Sequence, residues 1–375
     1  MSLQEKSLFM AMELSNKNWK LAFGDGCRER QRSITARCET ALLREVAMAK
    51  EKLGLPPQAP VVSCYEAGRD GFWIDRLVKK HGFRNHVMDP ASIEVPRRSR
   101  TRKTDRLDAE KLLQLLLRAE LWGQRKAFSA VRVPTEEQES ELRVHRERER
   151  LVKERTGHRA RLKSLFVLHG IEVGNPARVP IDGVRDWEGK PLAGPWVEEL
   201  KREQERLRLV ETQLKGIAKR QAAALIQAPT QALRKAEKLC RLKSVGQQSG
   251  WVLSHECFGW RTFRNRKHLG SFVGLTGTPF DSGETLREQG ISKAGSGRVR
   301  TTMIELAWGW VRWQPASALT HWFVDRYVRG GSSRSKRKGI VALARKLLVA
   351  LWKYVEQDMV PEGAVLKAQE CQQSA

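Results

Sequence analysis

Two short apolar runs constrain the fold more than any other feature of the chain. "SLFMAMELS" (7–15) and "APVVSCYEA" (59–67) are of strand length and apolar enough to be buried. Each run ends in a glutamate, Glu13 and Glu66. A carboxylate at the carboxyl end of a buried strand is costly unless it is paired, hydrogen-bonded, bound to metal or already at the surface. A surfaced strand end explains one such residue; two on neighbouring strands weaken that explanation.

The intervening segments complete a mixed α/β domain over residues 1–130. "NWKLAF" (18–23) is a second strand, "GDG" (24–26) a hairpin turn, and "RQRSITA" a polar strand near an edge. "CETALLREVAMAKEKLG" predicts an amphipathic helix stopped by Gly54, and "DGFWIDRLVKKHG" (70–82) a second one. "RNHVMDP" (84–90) predicts a short strand, and "TDRLDAEKLLQLLLRAEL" (104–121) a strong helix.

From about Pro134 the composition turns charged and helical, defining a middle region, 131–235. After a Gly/Pro-rich break (171–194), a second helix spans 195–228. Its Leu200, Leu207 and Leu214 recur every seven residues, with Val210 and Ile217 between them. That is the seam of a coiled coil or helical hairpin, an arm that spaces or oligomerises the outer domains. The last region, 236–375, is basic, tryptophan-rich and mainly helical. It holds one long glycine-punctuated loop (274–297) and the amphipathic "KGIVALARKLLVALWKYV" (338–355).

The net charge of +26 points to a polyanionic partner, nucleic acid first and a membrane surface second. No apolar run suggests a membrane span, and the start "MSLQEKSLFMAMELS" lacks the pattern of a signal peptide. A cytoplasmic, nucleoid-associated protein is expected. Six cysteines without paired spacing argue against structural zinc and for reduced thiols.

Asp105 and Asp108, three positions apart, open the helix after "RRSRTRK". Alone they are a helix cap and a surface acid. With Glu13 and Glu66 they supply four hard oxygen ligands from three elements, a set suited to Mg²⁺, with Mn²⁺ as a substitute. The adjacent Arg102 and Lys103 are candidate phosphate contacts. Far downstream, Ser282 sits in "FDSGET" with Arg287, Lys293, Arg298 and Arg300 around it, a phosphate-holding set. A Ser-Gly pair by itself is a turn. In "SSRSKRKG" (332–339), flexible small residues accompany Lys336, Arg337 and Lys338, further candidate nucleic-acid contacts. Trp308, Trp310, Trp313 and Trp322 fit core packing better than base stacking.

The strand-end acid, "YEA" and "KTDRLDAEKL" resemble the RuvC-like domain of the DEDD transposases, the insertion-sequence family numbered one hundred and ten and its relatives. Residues 242–308, with "FVGLTGTP", "SG" and "GISKAG", resemble that family's carboxy-terminal transposase domain. The resemblance implies an RNase H-like (RuvC-like) fold for 1–130, with Glu13, Glu66, Asp105 and Asp108 as catalytic metal ligands. Glu13 stands where the family usually has aspartate. It also implies that Ser282 is the nucleophile attacking DNA phosphorus, ahead of Ser292, which caps the next helix or contacts phosphate, and Ser296. The implied partners are donor and target DNA, a noncoding bridge RNA and further copies of the chain, as a dimer or tetramer. In such a tetramer the RuvC-like domain of one subunit meets the serine domain of another. Two other functions stay open: a metal-dependent junction-resolving nuclease in which Ser282 is only a turn, and an inactive nucleic-acid-binding scaffold.

Overall fold

Side chains of the first strand point alternately to two faces and separate two helical layers. The computed structural model describes residues 6–93, 105–124, 126–282 and 285–367, and of these it describes 91, 105–107 and 278–289 by backbone alone. Arg102 and Lys103 lie outside the described residues. The described chain divides into two compact units, Met1–Thr135 and Glu136–Ala375.

The first unit is built on a five-stranded sheet. Its strands are β1 (Leu8–Leu14), β2 (Asn18–Gly24), β3 (Glu29–Thr35), β4 (Val61–Glu66) and β5 (Arg84–Met88), in the order β3-β2-β1-β4-β5. β1–β2 and β2–β3 are antiparallel hairpin pairs, whereas β1–β4 and β4–β5 are parallel and need helical crossovers. Those crossovers are α1 (Glu39–Lys52) and α2 (Trp73–Lys80). Leu8, Met10 and Met12 face α1 and α2, packing with Leu42, Val46, Ile74 and Val78. Phe9 and Ala11 face the opposite way, with Val62 and Cys64, onto α3 (Asp105–Glu120) through Ala109, Leu112, Leu113 and Leu116. The period of two thus sorts one apolar run into two cores.

In the second unit α4 (Glu136–Val167) and α5 (Gly194–Gln227) pack against each other as a long hairpin. The seam residues Leu200, Leu207, Val210, Leu214 and Ile217 are all buried. Leu200 and Leu207 cluster with Leu162 and Phe166, while Val210, Leu214 and Ile217 cluster with Leu151, so the helices run antiparallel. Buried Glu203 lies 2.7 Å from His158 Nδ1 and accepts from Arg161 and Arg206, stitching the same seam.

Helices α6 (Gln231–Cys240), α7 (Gln247–Leu253), α8 (Arg266–Val273), α9 (Gly297–Trp313), α10 (Ala318–Phe323) and α11 (Ser333–Gln357) build the remaining core. Trp310, Leu343, Leu347 and Leu351 lie at its centre. Trp308 and Trp313 are instead about half exposed, so the four tryptophans do not share one environment.

Two segments differ from the sequence expectation. Segment 274–297 is not a simple loop, because it contains an antiparallel pair, β6 (Gly277–Ser282) with β7 (Thr285–Ile291). Its base is clamped by backbone bonds from Ser292 N to Thr276 O (2.8 Å) and Ser296 N to Phe272 O (2.9 Å). That closeness needs glycines: Gly274 (φ +70°) and Gly295 (φ +84°) approach so near that a Cβ would lie 2.0 Å from Ala294 O and 2.1 Å from Phe272 O. Run 332–339 is not an open segment either but the start of a helix. Ser332 caps α11 by accepting from Ser335 N, and the cations form its first turns.

The seam gives a direct contrast. Leu207→Ala should destabilise the second unit by about 2–4 kcal/mol in denaturant melts, while Leu209→Ala, on the exposed face, should stay within about 0.5 kcal/mol. Equal effects would mean that the seam does not hold the hairpin.

Candidate functional site

β1 and β4 run parallel with Met12 opposite Tyr65, so their next residues, Glu13 and Glu66, fall at one level of the sheet. Both continue the parity of Ala11 and Cys64, which places them on the face covered by α3. Cys64 Sγ donates to Leu112 O at 3.7 Å and fixes the height of the helix over the sheet. From there Glu66 lies two strand residues on, about 7 Å, and Asp108 four helix residues back, about 6 Å. α3 runs antiparallel to β1 and β4, since Glu120 near its end pairs with Arg84 at the start of β5. Its first turn therefore stands at the end of the sheet that carries the two glutamates.

Glu13 and Glu66 line a cleft of about 560 Å³ with Ser15, Asn16, Arg69 and Asp70. Glu66 is exposed and Glu13 half-buried. Asp108 lies 3.7 Å from Lys111 Nζ, and its side chain is 23% exposed, so it keeps access to water. The Asp105 backbone begins α3, and its side chain lies outside what is described. Among the described residues no three His, Cys, Asp or Glu side chains converge as a finished metal site. Asp70, not anticipated from sequence, sits 3.7 Å from Arg69 and 3.9 Å from Arg37 at the same cleft.

In the second unit Ser282 closes β6, opposite Thr285 across a two-residue gap, at the tip of the hairpin. The side chains of Ser282 and Arg287 lie outside what is described. The other cations placed around the serine have distinct surroundings. Arg298 pairs with Glu149 (2.7 Å) and Glu256 (3.0 Å). Arg300 Nη1 donates to Val273 O and Lys293 O, both at 3.0 Å, bracing the hairpin base. Lys293 is exposed and lines a groove together with Ser292, Arg337 and Lys338, whereas exposed Lys336 is not among the residues lining it. Ser296, not Ser292, caps α9, its side chain accepting from Val299 N.

Residues 236–321 match the family described as Transposase IS116/IS110/IS902. A Sinorhizobium fredii protein named "Putative transposase y4rJ" is 38% identical over 377 residues, 96% of this chain and 95% of its own length. The chain belongs to the IS116/IS110/IS902 transposase family. A more distant relative, "Probable family 20 transposase" of Pseudomonas aeruginosa, is 24% identical over 68% of this chain and 73% of its own length. Transposases of this family act on DNA, in keeping with the charge of +26. Among the described residues no helix is long and apolar enough to cross a membrane.

The family-matched segment contains a charge cluster that the sequence did not reveal. Buried Glu256 accepts from His145 (2.7 Å), Arg146 (2.9 and 3.1 Å) and Arg298 (3.0 Å). Burial pushes its carboxyl up, but the bonds from His145 and Arg146 prevail and hold it down at about 2. Burial pushes the neighbouring His255 down to about 4, so its ring is neutral at pH 7. Residues on α4 are thereby tied to the start of α9 through one carboxylate.

Both groups give acid sensitivity of known sign. His255 resists the proton its unfolded form binds below about 6.5, so stability present above that pH is lost as pH falls towards about 4. Glu256 is depressed from 4.5, so its contribution is lost between there and about 2. Glu256→Gln should remove about 3–5 kcal/mol at pH 7 and flatten the loss below pH 4.5, read from denaturant midpoints across pH. An unchanged pH profile in the variant would show that the cluster does not carry the effect.

Proposed function

We propose that this transposase cuts and rejoins DNA through a covalent serine–phosphodiester, with Ser282 as the nucleophile. A divalent metal site is formed by Glu13, Glu66, Asp105 and Asp108. The observation carrying the proposal is the placement of Glu13 and Glu66 at one level and on one face of two parallel strands, under the helix that brings Asp108 to the same end. The strand order and the acids at the strand ends support an RNase H-like, RuvC-like domain.

The donors are all carboxylates, and Glu13 and Glu66 line an open cleft, which fits Mg²⁺ or Mn²⁺ sharing its coordination with water and substrate phosphate. Such an ion supplies charge stabilisation at the reacting phosphorus. Ser282 Oγ forms a bond to phosphorus and a DNA oxygen leaves, taking up a proton as a hydroxyl. The diester count is unchanged, so a hydroxyl from another DNA end can attack the serine–phosphate and release the serine without ATP. Position at a hairpin tip suits a residue that must reach into a DNA substrate. Selection of donor and target DNA is assigned to a bridge RNA that pairs with them, leaving backbone and shape to the protein. The working form is a homo-oligomer, a dimer or tetramer.

The test is a covalent protein–DNA adduct formed with Mg²⁺, the element's RNA and its DNA ends. Ser282→Ala should abolish the adduct, a loss of at least about 10³-fold, while Ser292→Ala retains it. Asp108→Asn should block both cutting and adduct formation yet leave DNA affinity within about threefold, because it removes a metal ligand and no phosphate contact. Metal-dependent cutting without any adduct would identify a hydrolytic nuclease instead; intact binding with no cutting would identify a scaffold.

A further inference from the structure

The groove that contains Lys293, Arg337 and Lys338 is much larger than those three residues suggest. It encloses about 1560 Å³ and is lined by nine Lys and Arg side chains and, among the described residues, by no Asp or Glu. One wall is a stripe along α11: Arg334, Lys338, Arg345, Lys346 and Lys353 recur at helical spacing. From Arg334 to Lys353 the stripe covers about 28 Å of helix. The facing wall carries Arg266 and Lys267 at the start of α8, and Lys293 beyond the hairpin base.

Among the described residues, no acid neutralises these cations. None of the nine forms an ion pair among those residues, in contrast to Arg298. Lys346 rests 4.5 Å from the centroid of the Trp322 ring, which holds the ammonium in place without cancelling its charge. Short apolar side chains are interleaved with the cations: Val341, Ala342, Val349 and Ala350 of α11 also line the groove, as do Trp322 and Tyr327. Tyr327 stands edge-on to Trp322 at 5.6 Å.

We infer that this groove binds a single strand of nucleic acid, its phosphates on the cations and its bases against the apolar and aromatic side chains set among them. A duplex presents mainly phosphates to a protein surface and has no use for apolar side chains there. An unpaired strand has bases to bury as well as charge to neutralise. The groove ends at the base of the β6–β7 hairpin, through Gly277, Gly290 and Ile291. Ser282, five residues further along β6, is about 17 Å away along the strand. The groove therefore holds a strand without touching the reacting bond. The inference extends the proposed function but concerns binding alone, so it survives or fails independently of the serine chemistry.

The experiment measures binding of the full chain to a fluorescent 20-nucleotide oligothymidylate, an oligouridylate of the same length, and a blunt DNA hairpin duplex, over a range of salt. Arg345→Ala/Lys353→Ala should weaken both single-strand probes at least tenfold and lower the salt slope by about 1.4, two contacts at about 0.7 each. Duplex affinity should fall by less than about threefold. Lys215→Ala/Lys219→Ala, on the exposed face of α5, removes the same charge and should change all three by less than about threefold. Comparing thymidylate with uridylate in the unsubstituted chain shows whether the groove prefers DNA or RNA. Equal losses on duplex and single strand, or an equal loss in the α5 pair, would overturn the inference, as would unchanged single-strand binding in the groove pair.

Discussion

Parallel pairing of β1 with β4 is the constraint from which the amino-terminal unit takes its functional shape. Parallel strands cannot be joined by a tight turn, so the pairing requires the crossover through α1 and forces both strands to end on the same side of the sheet. Once Met12 stands beside Tyr65, Glu13 and Glu66 follow at one level with no further choice. A slip of one residue would turn either glutamate onto the α1–α2 face, among Met10, Met12 and Tyr65, where an ionised carboxylate has no compensation. Apolar packing and placement of the acids thus enforce each other. The core chooses the register, and the register chooses which end can carry charge.

The second unit solves a different problem, the self-repulsion of a strongly basic chain. Part of its positive charge is consumed internally. Glu256 collects His145, Arg146 and Arg298, and Glu203 collects His158, Arg161 and Arg206. These clusters sit where α4 meets α5 or where α4 meets the carboxy-terminal helices, so neutralisation also fixes how helices join. Among the described residues, the cations of the α11 groove have no such acids. The contrast separates arginines that hold the fold together from those left facing outward, a division that composition alone conceals.

Much of the fold was legible because it rests on periodicity. The strands at 8–14 and 61–66, the helix from Asp105 and the seam at Leu200, Leu207 and Leu214 each carry a pattern of two, 3.6 or seven that local sequence displays. Of the β6–β7 hairpin only a turn at "FDSGET" was legible, since its strands are rich in glycine and polar residues. Its base depends on bonds such as Ser296 to Phe272 that no local pattern encodes. The site divides in the same way. Glu13 and Glu66 announced themselves by ending apolar runs, whereas Arg298 stood among phosphate-holding candidates because its partners, Glu149 and Glu256, are 149 and 42 residues away. The groove was half visible: the run at 336–338 was conspicuous, but Arg345 and Lys353 look like isolated surface cations until α11 aligns them.

The separation between groove and hairpin tip bears on how the proposed strand exchange can spend binding energy. A phosphodiester transfer that conserves bond energy has little driving force, so control must come from holding ends in place rather than from the chemistry. Cations clustered at the serine itself would stabilise the substrate and the reacting phosphorus alike, and such uniform binding does not accelerate the step. Cations set about 17 Å back along a braced hairpin can retain a strand through cutting and rejoining without favouring either state. Arg300 serves that arrangement from the protein side. By donating to Val273 O and Lys293 O it braces the base of the hairpin beside the groove, and with it the separation proposed between a held strand and Ser282.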